Sequence, residues 1–130
     1  MSMVNDAKTR IKEITVEDLQ IKKKVNPELV IVDIREHSEY QAGHLEGAKY
    51  IPRGVLELYL DKVVPNQQQE VILYCCGGLR SSLAADTAMK MGYKNVMSLA
   101  GGYRECLHNG LRIKDIEDPH DHYYHTDYSL

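Results

Sequence analysis

Apolar residues in this chain fall into short continuous runs separated by stretches with helical spacing. Leu29-Val-Ile-Val-Asp-Ile34 and Val71-Ile-Leu-Tyr-Cys75 are apolar almost without a break, the pattern of strands covered on both faces of a parallel sheet. Ile11 to Ile14 reads as a short edge strand, Ala48 to Ile51 as a strand closed by Pro52, and Asn95 to Leu99 as a fifth strand. Between them, Thr15-Val-Glu-Asp18 has the form of a capping box opening a helix toward Lys24, and Asn26-Pro27 ends it. Ser38 to Ala42 predicts a helical turn. Val55 to Lys62 predicts a helix with Leu56, Leu60 and Val63 on one side, followed by a polar turn at 64–69. Further helices are expected over Ser81 to Met91 and over Tyr103 to Asn109, the last stopped by Gly110. Strands alternating with helices at these lengths predict an α/β fold: a doubly wound parallel sheet of about five strands with helices on both faces.

In such sheets ligands bind beyond the C-terminal ends of the strands. Asp33, Arg35, Cys75 and Gly101 all fall there. Cys75 ends an apolar strand, Cys76-Gly77-Gly78-Leu79 makes a turn, and Arg80-Ser81 opens a helix. Free amides at that helix start, the positive end of its dipole and Arg80 predict an electropositive cup around the Cys75 sulfur. A thiol so placed has a lowered pKa and is a nucleophile, whereas a cysteine packed only among apolar side chains is inert. Gly77 and Gly78 allow a tight turn, and Ser81 is expected to cap the helix and aim its hydroxyl at the loop.

Cys75-x-x-Gly78-x-Arg80-Ser81 resembles the active-site loop of single-domain rhodaneses, sulfurtransferases that carry sulfane sulfur as a cysteine persulfide. Other segments agree in the order that family shows them: Val32-Asp33-Ile34-Arg35-Glu36, Gly43-His44-Leu45-Glu46-Gly47-Ala48, Ile51-Pro52, Met91-Gly92-Tyr93-Lys94-Asn95-Val96 and Leu99-Ala100-Gly101-Gly102. The likeness runs from about Ile14 to Ile113. It implies that a Cys75 thiolate takes sulfur from thiosulfate, polysulfide or a persulfide donor and passes it to a thiol or cyanide. Amides of Cys76, Gly77, Gly78, Leu79, Arg80 and Ser81 would hold the anion, with no cofactor and no metal. Arg80 is the expected partner for donor oxygens.

Asp33 and Arg35 are expected to support the site as a satisfied ion pair, and His44 as a hydrogen-bonded anchor, since a preformed thiolate needs no general base. Cys76 is a possible resolving thiol, although a disulfide between sequence neighbours is strained. Cys106 stands where many relatives carry Trp and is expected to pack. Arg53 follows Ile51-Pro52 and is expected to be solvated or to reach the pocket rim. Glu39 replaces an Arg of the mercaptopyruvate enzymes, which points away from that donor. Two alternatives stand beside sulfur transfer. One is a non-catalytic rhodanese-like interaction or sulfur-relay module. The other is a phosphatase or arsenate reductase, whose loop carries one more residue between Cys and Arg than the four found here.

Composition narrows the setting. A chain of 130 residues suits one domain with its own core, and with no Phe or Trp that core must be aliphatic with some Tyr and Met. Three cysteines, two of them adjacent, argue against a disulfide scaffold and for the cytoplasm. The polar start and the lack of a long apolar run predict no signal peptide and no membrane partner. The net charge of −3 conceals a division at about residue 114: residues 115–130 hold five acids and no Lys or Arg, leaving 16 bases against 14 acids before them. That balance predicts no nucleic-acid partner. The domain is therefore expected over 1–114. The acidic, His- and Tyr-rich segment at 115–130 is expected to be a mobile tail, its His120, His122 and His125 too open to hold a metal tightly. The expected partners are a small sulfur donor and a thiol acceptor, with an acceptor protein as a further candidate.

Overall fold

The computed structural model describes residues 2–111 and 113–114. Five parallel strands form the sheet: β1 (Lys12–Ile14), β2 (Val30–Asp33), β4 (Lys49–Tyr50), β5 (Val71–Tyr74) and β6 (Val96–Leu99), in the spatial order β1-β6-β5-β2-β4. β5 is central, in register with β2 from Val30↔Val71 to Asp33↔Tyr74 and with β6 from Val71↔Val96 to Leu73↔Ser98. The helices are α1 (Met3–Lys8), α2 (Val16–Val25), α3 (His37–Ala42), α4 (Leu56–Val63), α5 (Leu79–Lys90) and α6 (Gly102–His108). A short pair, β3 (His44–Leu45) with β7 (Ile113–Lys114), runs antiparallel beside the main sheet.

Side chains alternate across the sheet as strand geometry requires. Val32, Ile34, Val71, Leu73 and Cys75 face one side, where they meet Leu56, Tyr59 and Leu60 of α4 and Ala84, Ala85 and Ala88 of α5. Ile31, Ile72, Tyr74, Met97 and Leu99 face the other, against Val16 and Leu19 of α2, Leu45 and Cys106. The small residues of α5 let that helix sit close on the sheet. Each large aliphatic side chain fully buried in these layers stabilises the fold by roughly 1.5–3 kcal/mol.

The capping box forms as its sequence indicates: Thr15 Oγ1 accepts from Asp18 N–H, and Asp18 Oδ2 accepts from Thr15 N–H. Other parts differ from the expectation or go beyond it. The polar start forms α1, held against α5 through Ala7 and Arg10 rather than through an amphipathic stripe long enough to read. α5 begins at Leu79, not Ser81, because Gly78 takes the left-handed conformation at φ 99° and serves as the N-cap. Ser81 therefore does not cap: it lies inside the first turn. The β3–β7 pair joins strands of two residues each, too short for any periodic signal. The segment at 115–130, with its histidines, lies outside the described residues. No described helix is long and apolar enough to cross a membrane.

Candidate active site

Cys75 is the first residue beyond β5, and the chain then folds over it. The residue is almost fully covered, at 1 % exposure. Yet the cover is polar: Gly78 N–H donates to Sγ at 3.1 Å and Ser81 N–H at 3.4 Å, with Ser81 Oγ at 3.5 Å. Burial alone would push the thiol up. The Ser81 hydroxyl, the Ser81 and Gly78 amides and a further contribution from Gly77 N–H outweigh it, and the Cys75 pKa lies below the ordinary thiol value. Cys106 shows the contrast, because burial without such donors drives its thiol up to about 12.

The hydroxyl on Cys75 has its own support. Ser81 Oγ lies 2.8 Å from Ser98 Oγ on β6, both fully buried. When Ser81 donates to a thiolate, Ser98 donates to Ser81, so the two serines form a chain ending on sulfur. Ser98 is absent from the sequence expectations. Its signal was a lone hydroxyl in the apolar run Val96-Met-Ser98-Leu99, which alternation places on the same side of the sheet as Cys75.

Gly78 and Gly77 serve different ends. Gly78 needs its positive φ, and a β-carbon there would stand 3.3 Å from Gly101 N. Gly77 has no such φ; a β-carbon there would stand 3.4 Å from Arg104 Nη2. Arg80 donates from Nη1 and Nη2 to Glu39 Oε1 and Oε2 at 3.2 and 3.4 Å. Burial pushes the Glu39 carboxyl up, but the Arg80 guanidinium and the Glu36 amide more than reverse that and keep it below the usual carboxylate range. Leu79 is exposed at the rim, Cys76 is half-buried, and its Sγ lies 3.5 Å from Arg104 Nη2. All three described cysteines are free.

Asp33 and Arg35 form a buried pair one strand away, Arg35 Nη2 donating to Asp33 Oδ2 at 2.7 Å and also to Gly43 O. Tyr74 OH donates to Asp33 Oδ2 at 2.6 Å and accepts from Leu45 N–H, tying the pair to β5 and β3. The guanidinium carbon lies 4.1 Å from the centre of the Tyr103 ring. His44 stacks on Tyr40 at 3.8 Å, with Nδ1 2.9 Å from Tyr40 O. Asp33 thus ends β2 and His44 opens β3, and Tyr74 links both strands to β5. Arg53 bonds Glu57 and Thr87. Among the described residues no group of three His, Cys, Asp or Glu side chains is arranged to hold a metal.

Comparisons with known proteins agree with this layout. Curated relatives include the tRNA uridine(34) hydroxylases of Yersinia enterocolitica and Photorhabdus laumondii, 32% and 34% identical over 99 residues; the match takes in 70% of this chain but 28% of each hydroxylase. A Rhodopseudomonas palustris protein of unknown function, described as a possible tyrosine phosphatase, superposes with a TM-score of 0.79 at 33% identity, covering 86% of this chain and 91% of that one. The polysulfide-sulfur transferase homodimer of Wolinella succinogenes superposes with a TM-score of 0.75 at 27% identity, covering 92% and 89%. The thiosulfate sulfurtransferase of Pseudomonas aeruginosa shares the fold, with a TM-score of 0.77 at 24% identity over 86% of this chain and 22% of that enzyme. The profile of the rhodanese-like domain matches residues 15–109, from the capping box of α2 to the end of α6, and with the five-stranded sheet and its Cys75 loop this chain belongs to the rhodanese-like domain family.

Proposed function

We propose that this protein is a sulfurtransferase that carries sulfane sulfur as a persulfide on Cys75. The observation that carries the reading is the convergence of the Gly78 and Ser81 amides on a sulfur with a lowered pKa. The Cys75 thiolate attacks the outer sulfur of a donor. With thiosulfate a new S–S bond forms at Cys75, the donor's S–S bond breaks, and its electron pair leaves with sulfite. An acceptor thiolate or cyanide then attacks the outer sulfur of the persulfide, and the bonding pair returns to Cys75. The resting thiolate and the persulfide are both anions, and the same fixed dipoles serve each without reorganising. No proton is transferred in either half. Thiosulfate, polysulfide and a protein persulfide are the donor candidates; the name of the Wolinella succinogenes relative favours testing polysulfide alongside thiosulfate. The cytoplasm suits this chemistry, because a reducing compartment keeps Cys75 free between turnovers.

Incubation with thiosulfate or polysulfide, followed by intact mass measurement, is expected to add the mass of one sulfur atom, and Cys75→Ser to abolish it. No gain with any donor would leave a rhodanese-like binding module. A phosphatase or arsenate reductase is the second reading, favoured by the Rhodopseudomonas palustris relative. Four residues between Cys75 and Arg80 make a narrow cup for a tetrahedral oxyanion, and Arg80 is engaged with Glu39. Release of phosphate from an aryl phosphate without sulfur loading would replace the first reading by the second.

A further inference from the structure

Arg104 lies across the outer side of the Cys75 loop. Tyr103 N–H donates to Cys75 O at 2.8 Å and Arg104 N–H to Cys76 O at 3.1 Å, which clamps the start of α6 onto the loop. From that fixed base the guanidinium reaches Cys76 Sγ, with Nη2 at 3.5 Å, and passes over Gly77, the loop position where a β-carbon would touch it. The two arginines next to the Cys75 loop differ in what they already hold. Arg80 gives both terminal nitrogens to the Glu39 carboxylate. Arg104 is exposed, its side-chain neighbour is the Cys76 thiol, and among the described residues no carboxylate pairs with it.

The loop amides provide for one negative charge, and the Cys75 sulfur takes it. A donor that brings its own charge needs a cation outside that ring of amides. A guanidinium presents a planar fork of donors that matches a group of oxyanion oxygens. On the reading of Cys75 as a sulfur carrier, we propose that Arg104 holds the anionic end of the donor and selects donors of the thiosulfate class, in which the transferable sulfur is attached to a multiply oxygenated anion. Arg80, neutralised by Glu39, is a structural support of the loop in this scheme.

Steady-state kinetics with thiosulfate and alkylation of Cys75 test the assignment. Arg104→Gln is expected to raise the thiosulfate KM about tenfold and to leave kcat within about twofold, with Arg104→Lys intermediate. Arg80→Gln, a change within the loop itself, serves the rival assignment, in which KM would rise for Arg80→Gln and not for Arg104→Gln. Alkylation is followed at Cys75 by peptide mass spectrometry, comparing anionic iodoacetate with uncharged iodoacetamide. Arg104→Gln should lower the iodoacetate rate and leave the iodoacetamide rate unchanged, since each reagent loses only iodide and differs in charge. An unchanged KM and an unchanged rate ratio overturn the proposal, as does a KM increase confined to Arg80→Gln. If the rate ratio falls but thiosulfate never loads Cys75, the anion site stands and the sulfur-transfer reading fails; loading at an unchanged KM sinks Arg104 alone.

Discussion

At Cys75 two opposing effects act on one sulfur. Burial favours the neutral thiol, and four hydrogen-bonding groups around Sγ favour the thiolate; together they outweigh burial. The site is thus closed without being apolar, which suits an anion that must survive the loss of bulk water. Because the folded pKa is lowered, the thiolate is present at a pH where an ordinary thiol is still protonated, and sulfur loading should rise through an inflection below the usual cysteine range and then level off. Ser81→Ala removes the hydroxyl and should move that inflection to higher pH while the amides remain. Thiolate absorbance against pH reads it directly; an unmoved inflection would show that the amides alone set the ionisation.

The element that makes this possible is the strand, loop and helix from β5 to α5, closed from above by α6. Its first half was legible in the residues: an apolar run, a cysteine, two glycines and helical spacing. Its second half was not. That α5 starts two residues early, with Gly78 rather than Ser81 as the cap, follows from the left-handed conformation at Gly78, and that α6 bonds the loop carbonyls depends on the approach of a segment distant in sequence. Gly102 marks the closest approach. A β-carbon there would collide with Cys75 O and stand 2.7 Å from Cys76 O, at a φ of 58° that side chains seldom adopt. Gly102→Ala should therefore lower the Tm and slow sulfur loading together, as α6 backs away and the loop amides lose their aim. Retention of full loading rate in a folded Gly102→Ala protein would show that the α6 seam does not shape the cup.

Across the whole molecule, an ion pair ties the segment after α1 to α5, the helix that follows the Cys75 loop. Arg10 donates from Nε and Nη2 to Asp86 on α5 at 2.9 and 2.8 Å, and this pairing, followed by Lys90, holds the Asp86 carboxyl down to about 2 from an ordinary 3.8. The folded pKa lies below the unfolded one, so the contribution to stability is complete above 3.8 and is lost as pH falls toward about 2. Asp86→Asn should lower the Tm at neutral pH and flatten its decline over that acid interval, as followed by circular dichroism. An identical acid profile in the variant would remove the pair from the stability of the fold.

The sequence by itself determined the α/β class, the order of the five main strands and the helices between them, the strand, turn and helix around Cys75 and the family, because these rest on local periodicity, turn residues and motifs a few residues long. Asp33 and Arg35 were likewise foreseeable as a pair, since a buried charge demands a partner nearby. Only the tertiary structure decided which groups touch the sulfur and which cation is already paired. Ser98 reaches Cys75 through Ser81, Glu39 takes Arg80, and Arg104 comes over Gly77 from another helix. Each of these contacts joins residues that strand pairing and helix packing bring together, and no spacing along the chain records such distances.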